Sequence, residues 1–334
     1  MDSFVELYKL ISGFRAEDQA AAAACDAREP KLTKPAGSLG RLEDITHHLC
    51  AWQGVHPPLL DNMQACVFAG NHGVAALGVS AFPAAVTEQM VINFQNGGAA
   101  INQLCRTFGL ELSVDDIELD RPTDDFTQGP AMSEEDCLDA FQIGYHAVEA
   151  GSDLVILGEM GIGNTTSAAA LCMALFGGEA EDWTGRGTGV GDEQLKRKIE
   201  VVRKGVARNP TDDPLEKLAS LGGRELAAIV GAVASARIKR VPVILDGYVC
   251  TAAAAVLHAI RRDALDHCLI GHVSSEPGHR LLLEKLEKRP LLDLDMRLGE
   301  ASGAAAAIGL VKAAVACHVG MATFGEAGVS GKAH

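Results

Sequence analysis

The sequence predicts an α/β protein built on a doubly wound parallel sheet, and two observations support this. Short apolar runs recur along the chain, each typical of a strand buried on both faces. Four times such a run ends in polar or acidic residues and an alanine-rich helix follows. We therefore expect one crevice along the edge where the strands end. The predicted strands are 64–70, 110–117, 154–157, 241–245 and 267–271, with 291–296 leading to the last polar segment.

Helices are predicted from alanine-rich and amphipathic segments between these strands. One begins near Ser38 or Leu39, after the Pro and Gly residues of KPAGSLG, and another begins at Thr165, with Asn164, Thr165 or Thr166 as its N-cap. The other predicted helical segments are 1–30, 86–94, 97–106, 137–150, 196–204, 221–229, 231–238, 249–260 and 301–316.

Composition limits the class of protein. The 334 residues are 48% hydrophobic and carry a formal net charge of −15, which argues against nucleic acid or an anionic membrane as a partner. The apolar runs contain charge or glycine, so we expect no membrane span. Nine cysteines without a CxxC pair, and an N-terminus without a signal-peptide pattern, predict a soluble cytoplasmic protein.

The stretch LVILGEMGIGNTTSAAALCMALF, residues 154–176, is the centre of the predicted site. A strand, a glycine-rich turn and a helix N-terminus together present free N–H groups to an anion. The glycines have the spacing of a P-loop, but Asn164 occupies the lysine position, and Thr166 occupies the third glycine position of a dinucleotide fingerprint. We expect a monophosphate held mainly by backbone. The alternative is an ordinary strand-to-helix turn, against which Glu159 argues, because a carboxylate there has no evident packing role.

Two further segments have open interpretations. TGRGTGVG, residues 184–191, has glycine at every second position and is either a flexible surface loop or a lid over a ligand. Residues 196–204 form a basic helix face that could supply one cation to a phosphate. His72 lacks a second His or Cys at ligand spacing, so we predict no metal site.

A set of motifs then carries a resemblance. The chain resembles the nicotinate-nucleotide–dimethylbenzimidazole phosphoribosyltransferases, which activate the lower ligand of cobalamin. The matching segments span residues 34 to about 310 in the family's order: KPAGSLGRLE, FAGNHGVAALGVSAFPAAVTEQMV, NGGAAIN, GEMGIGNTTSAAAL, TGRGTGVGDE, VILDGYV, SSEPGH and DMRLGEASGAA.

This resemblance implies the rest of the expected biology. It implies a Rossmann-like sheet in a large domain, residues 40–310, and a small helical domain from both chain ends, residues 1–39 and 311–334. It also implies a homodimer without a cofactor. The family moves the phosphoribosyl group of nicotinate mononucleotide to 5,6-dimethylbenzimidazole, which gives α-ribazole 5′-phosphate and nicotinate.

The resemblance also assigns residues. It makes Glu300, in the RLGE motif, the catalytic residue, and it places Lys198, or its neighbour Lys196, near the phosphate. The remaining predicted substrate contacts are Glu159, Gly161, Ile162, Gly163, Asn164 and Thr165 in the phosphate loop, Ser80, Phe82, Pro83, Gln89 and Leu298 at the base, and Ser275 at the nucleotide.

Chemistry agrees with the role of Glu300. The attacking azole must lose a proton from its second nitrogen, and a partly desolvated carboxylate can accept it as a general base. Without the resemblance, Glu300 would be interpreted as a helix N-terminal carboxylate stabilised by the dipole. The alternative function is a non-catalytic nucleotide-binding regulatory protein of the same fold, whereas Asn164 argues against a P-loop phosphotransferase.

Overall fold

The computed structural model describes residues 1, 3–187 and 189–330. Within these residues a single six-stranded sheet runs in the order β2-β1-β3-β4-β5-β6, and every neighbouring pair is parallel. The predicted α/β fold with a parallel sheet is thus confirmed. The strands are β1 Met63–Ala69, β2 Glu111–Asp116, β3 Leu154–Met160, β4 Val243–Leu245, β5 Cys268–His272 and β6 Pro290–Leu292.

Helices cover both faces of the sheet. Because side chains alternate along each strand, they point into two separate cores, one on each face. Phe68 of β1 and Leu157 of β3 belong to the larger core, while Val67 and Ile156 belong to the smaller one. This is the alternation that a strand imposes on its side chains. Both β1 and the first six residues of β3 are buried throughout, which explains why they appear in the sequence as continuous apolar runs.

The helices begin and end as follows: α1 Phe4–Ser12, α2 Gln19–Arg28, α3 Arg41–Gln53, α4 Val86–Gln95, α5 Ala100–Phe108, α6 Glu134–Ala147, α7 Asn164–Phe176, α8 Ala180–Trp183, α9 Asp192–Arg208, α10 Pro214–Leu221, α11 Arg224–Lys239, α12 Tyr248–Ile260, α13 Pro277–Lys285, α14 Ser302–Gly320 and α15 Phe324–Ala327. The predicted helices 221–229 and 231–238 are one helix, α11. The single helix predicted over 1–30 is two, because Asp18 caps α2 by accepting the N–H groups of Ala20 and Ala21.

The predicted start of α7 was wrong. The helix begins at Asn164, and its N-cap is Gly163, which adopts a left-handed φ of 97° and makes no side-chain cap. The side chain of Asn164 instead donates to the carboxylate of Glu159. Strand β3 also continues to Met160, paired with Ala69 of β1, so Gly158 and Glu159 are strand residues and not part of the turn.

One helix, α14, is long and apolar enough to cross a membrane by length and composition alone, in contrast to the expected interruption of every apolar run. Its residues Ala304, Ile308 and Val311 are fully buried in the smaller core. In this fold α14 therefore packs against the sheet as a core helix.

The two chain ends meet beside the sheet. Leu32 forms an isolated antiparallel bridge with Thr323, and Arg28 donates to the carbonyl oxygen of His318 at 2.8 Å. Phe4 and Leu7 of α1, however, pack into the larger core with the main body of the chain. The division into a large domain and a small helical domain stays a prediction.

Candidate active site

The candidate site is a cleft at the carboxyl end of the central strand β3. Its lining includes residues from the ends of β3, β4 and β5, from the helix that follows β3, and from the glycine loop. A parallel sheet brings these strand ends to one edge, where open α/β folds bind ligands. Among the predicted site residues, those in the lining are Ser80, Glu159, Gly161, Ile162, Gly163, Asn164, Thr165, Lys198 and Leu298.

Other predicted residues lie outside that lining. Phe82 is half exposed, and Pro83, Gln89 and Ser275 are exposed. Glu300 is buried and follows Leu298 and Gly299 in sequence, which do line the cleft. The neighbour of Ser275, Ser274, lines the cleft in its place. The roles of all these residues stay predictions.

The turn between β3 and α7 is shaped to receive an anion. Within the described part of the chain, the N–H groups of Gly163 and Thr165 have no hydrogen-bond partner. The N–H of Ile162 instead donates to Thr87 Oγ1 at 3.2 Å, which anchors the turn to α4. Free N–H groups at the start of a helix, together with the positive end of its dipole, are a general anion site.

A buried lysine stands next to this turn. Lys198 Nζ lies 2.8 Å from Thr165 Oγ1 and 3.0 Å from the carbonyl oxygen of Gly185. Burial lowers the pKa of Lys198 to about 8, so it is charged at neutral pH but less strongly basic than a free lysine. The side chain of Lys196 is 73% exposed and pairs with Glu193, so of these two lysines it is Lys198 that reaches the turn.

The backbone before α14 is held in an unusual conformation. Gly299, Glu300 and Ala301 have consecutive left-handed φ values of 85°, 61° and 60°. This conformation costs roughly 1–3 kcal/mol for a non-glycine residue and is frequent at functional sites. The Glu300 N–H donates to the carbonyl oxygen of Glu159 at 3.2 Å, which ties the segment to β3.

Three buried carboxylates lie at the sheet edge, and each has a raised pKa. Burial, with the charges of Asp246 and Glu225, raises the pKa of Glu159 to about 8. Burial and the charge of Asp246 raise the pKa of Glu300 to about 7, and burial raises the pKa of Asp246 to about 7. Carboxylates whose pKa values lie near neutral pH are typical of residues that act as general acids and bases.

The structure adds site residues that the sequence pattern did not assign. Asp246 was visible only as an acidic residue ending an apolar run, and its Oδ1 accepts the N–H of Ala304 at 2.8 Å. Other cleft-lining residues without a predicted role are Val79, Met160, Arg186, Gly187, Val190, Gly247, Tyr248, Val249, His272, Ser274, Glu276, Arg297 and Gly299. Three of them, Arg186, Gly187 and Val190, belong to the glycine loop that the sequence offers as a possible lid, whereas long-range contacts bring the others to the cleft.

His72 takes part in a buried polar network. Its Nε2 lies 2.5 Å from Glu225 Oε1, and its Nδ1 lies 3.0 Å from Ser167 Oγ. These contacts join the end of β1 to α7 and α11. Among the described residues, no group of three or more His, Cys, Asp or Glu side chains is arranged to hold a metal ion.

The comparisons with known proteins identify the family. A family model, DBI_PRT, described as phosphoribosyltransferase, matches residues 14–329. The chain belongs to this phosphoribosyltransferase family. A relative from Ruegeria pomeroyi, named nicotinate-nucleotide–dimethylbenzimidazole phosphoribosyltransferase, is 59% identical over 94% of this chain and 93% of its own. A relative of the same name from Rhizobium meliloti is 56% identical over 99% of this chain and 97% of its own.

Solved structures agree with the assignment to this phosphoribosyltransferase family. The crystal structure of CobT from Thermus thermophilus has a TM-score of 0.87 and 43% sequence identity, and the match covers 94% of this chain and 100% of that one. A second structure from that organism, of a nicotinate-nucleotide–dimethylbenzimidazole phosphoribosyltransferase, has the same TM-score of 0.87 at 41% identity.

Proposed function

We propose that this enzyme transfers the phosphoribosyl group of nicotinate mononucleotide to 5,6-dimethylbenzimidazole, releasing nicotinate and forming α-ribazole 5′-phosphate for cobalamin synthesis. The observation that carries the proposal is the placement of two groups at one sheet edge. The anion-binding turn, Lys198 and Glu159 line the cleft, and Glu300 is held next to them by its N–H, which donates to the carbonyl oxygen of Glu159. Relatives at 55–59% identity carry the name of this activity.

The phosphate is assigned to the turn. The N–H groups of Gly163 and Thr165 lie at the helix start, where the dipole favours negative charge. Lys198 adds one nearby cation, which offsets part of the unfavourable field of a chain with net charge −15. Binding the phosphate there fixes the ribose at the sheet edge, so positioning supplies part of the rate.

Glu300 is assigned the proton transfer. Nicotinate leaves the ribose as a neutral ring from a pyridinium, so it needs no acid, and positive charge develops on the ribose. The azole nitrogen attacks the opposite face, which converts a β-nucleotide into an α-glycoside. Its second nitrogen then loses a proton to Glu300, whose pKa of about 7 suits a general base near neutral pH.

The aromatic base is assigned to the apolar side of the cleft mouth. Leu298 lines the cleft and is half exposed, as is Phe82 in the loop after Ser80. Half-exposed apolar side chains lose water contact when a flat ring covers them. Pro83, in the same loop, and Gln89, in the helix that follows it, are also assigned as contacts of the base.

The proposal is tested by mixing the protein with nicotinate mononucleotide and 5,6-dimethylbenzimidazole and following both products by chromatography. Equal release of nicotinate and α-ribazole 5′-phosphate, dependent on both substrates, is the expected result. A protein that binds the nucleotide but releases no nicotinate would instead be the non-catalytic regulatory protein.

We also propose that the enzyme is a cytoplasmic homodimer. All nine cysteines are free, and eight of them are buried, a pattern suited to a reducing compartment. The dimer follows from the family resemblance. Sedimentation velocity on the purified chain tests it, with a mass of twice 35.0 kDa expected.

A further inference from the structure

Glu276, a residue that lines the cleft, has a buried carboxylate oxygen without a hydrogen-bond partner among the residues that the structure describes. Glu276 is the N-cap residue of α13, is only 6% exposed, and lines the cleft together with Lys198 and Thr165. Within the described part of the chain, its Oε2 makes no hydrogen bond. A buried acceptor left unpaired costs about 1–3 kcal/mol, so such an atom beside a cleft points to a hydrogen bond with a donor on the bound ligand.

The other oxygen of Glu276 is already used. Oε1 accepts the N–H of Gly187 at 2.7 Å, which fastens the glycine loop to the start of α13. The loop approaches so closely that a Cβ on Gly185 would lie 2.3 Å from Oε2. A side chain at position 185 would therefore displace the Glu276 carboxylate, which the bond from the Gly187 N–H orients.

A carboxylate can form a hydrogen bond with only some groups of the nucleotide and the base. A carboxylate only accepts hydrogen bonds and carries negative charge, so it repels both the phosphate and the carboxylate of nicotinate. The base donates its N–H to Glu300 in the proposed mechanism. The remaining donors are the ribose hydroxyl groups, and the ribose is bonded to the phosphate that we place beside Thr165 and Lys198.

We propose that Glu276 recognises the ribose of the nucleotide, with Oε2 accepting a hydrogen bond from one ribose hydroxyl while Oε1 holds the glycine loop. This inference rests on the proposed function for the identity of the nucleotide. It makes Glu276 the residue by which the enzyme distinguishes a ribonucleotide from a deoxyribonucleotide. Binding the ribose also places it against the loop that Glu276 fastens.

The test is a binding comparison by calorimetry on the full chain, with nicotinate mononucleotide and its 2′-deoxy and 3′-deoxy analogues. In the wild type, one deoxy analogue should bind about 10- to 100-fold more weakly, the loss expected for a hydrogen bond to a charged group. In Glu276→Gln, an amide oxygen can still accept the Gly187 N–H, and the penalty for the same analogue should shrink to about 2- to 10-fold. In Glu276→Ala the deoxy analogue should bind almost as tightly as nicotinate mononucleotide.

Glu193→Gln is the matched control, because Glu193 is an exposed acidic residue paired with Lys196 on α9. It should leave both the affinities and the deoxy penalty unchanged. If Glu276→Gln and Glu276→Ala weaken all three ligands equally, Glu276 only holds the loop and the inference is wrong. A wild type that binds all three ligands equally overturns it as well.

A parallel transfer assay separates this inference from the proposed function. If the wild type shows the deoxy penalty but releases no nicotinate in the presence of the base, the proposed function fails and ribose recognition by Glu276 stands. If nicotinate is released normally while the two Glu276 variants keep the full wild-type penalty, the function stands and the assignment of Glu276 fails.

Discussion

The carboxylate of Glu159 lies against the backbone of Gly299, so closely that a Cβ on Gly299 would lie 2.5 Å from Glu159 Oε1. The carbonyl oxygen of Glu159 also accepts the N–H of Glu300 at 3.2 Å. The residue assigned to proton transfer is therefore positioned by the strand that carries the phosphate turn. The phosphate turn and Glu300 are therefore linked through β3, so variants of Glu159 and Glu300 can be compared directly.

Glu300→Gln should reduce turnover by about 10²-fold or more, the range for loss of a general base, because the amide cannot accept the azole proton. Folding and the apparent affinities should change little, since the amide has the same shape and proton removal matters only in the transition state. Steady-state release of nicotinate measures both constants.

Glu159→Gln serves as the comparison for that variant, and it should disturb nucleotide placement more than proton transfer. In the wild type, the Glu159 carboxylate accepts a hydrogen bond from the side chain of Asn164 at the phosphate turn. Near-normal turnover in Glu300→Gln would show that another group removes the proton.

The plot of kcat/KM against pH should have an acid limb near neutral pH. Burial and the charge of Asp246 raise the pKa of Glu300 to about 7. A base must be ionised to act, so kcat/KM should rise as pH increases through about 7. Asp246→Asn removes the neighbouring charge, so the limb should move to lower pH. A limb unchanged in Asp246→Asn and in Glu300→Gln would assign it to a different group.

The sequence predicted the sheet more completely than the site, for a physical reason. Strands such as Met63–Ala69 are buried on both faces, so their apolar runs are visible locally. The sequence predicts that α7 begins at Thr165, with Asn164, Thr165 or Thr166 as its cap, whereas the helix begins at Asn164, whose side chain bonds back to Glu159. That contact depends on β3 extending to Met160, which is a property of strand pairing and not of local spacing.

Contacts between distant parts of the chain, in the site and in the buried network next to it, were harder to predict. Glu225 pairs with His72 across 153 positions of sequence, and no pattern at either end reveals the contact. Similarly, Lys196 and Lys198 look equivalent in a basic segment. Only the rotation of α9 shows that Lys198 faces the turn and Lys196 faces solvent.

Lys198→Met should weaken nucleotide binding by about 10- to 100-fold, because it removes a charged donor beside the phosphate turn while keeping an unbranched side chain. The apparent affinity for the benzimidazole should stay near the wild-type value. Lys196→Met is the control, and it should behave as the wild type because its side chain is 73% exposed. Equal effects of the two substitutions would contradict the assignment of Lys198.

Phe82→Ala should weaken binding of the base more than binding of the nucleotide. The side chain is 49% exposed without ligand, so its truncation should cost little stability while removing apolar area that the base covers. Leu298→Ala should act in the same way. Ile92→Ala, equally exposed on α4, is the control and should change neither constant. If Phe82→Ala changes both apparent constants equally, the base does not lie against Phe82.

Gly158→Ala should damage stability and turnover together. A Cβ at this position would lie 2.2 Å from the backbone nitrogen of Ala301, so β3 and the start of α14 must separate to admit it. Overpacking of this kind costs about 1–3 kcal/mol, and backbone on the opposing side leaves little room to relax. The movement also displaces Glu300, the residue before Ala301, so kcat should fall more than the fraction of folded protein. Urea unfolding and nicotinate release on one preparation separate the two effects.

Gly129→Ala, with nothing within 4 Å of the added Cβ, is the control and should match the wild type in both. A Gly158→Ala enzyme with lowered stability but full kcat would show that Glu300 need not be held against β3 for the reaction to proceed.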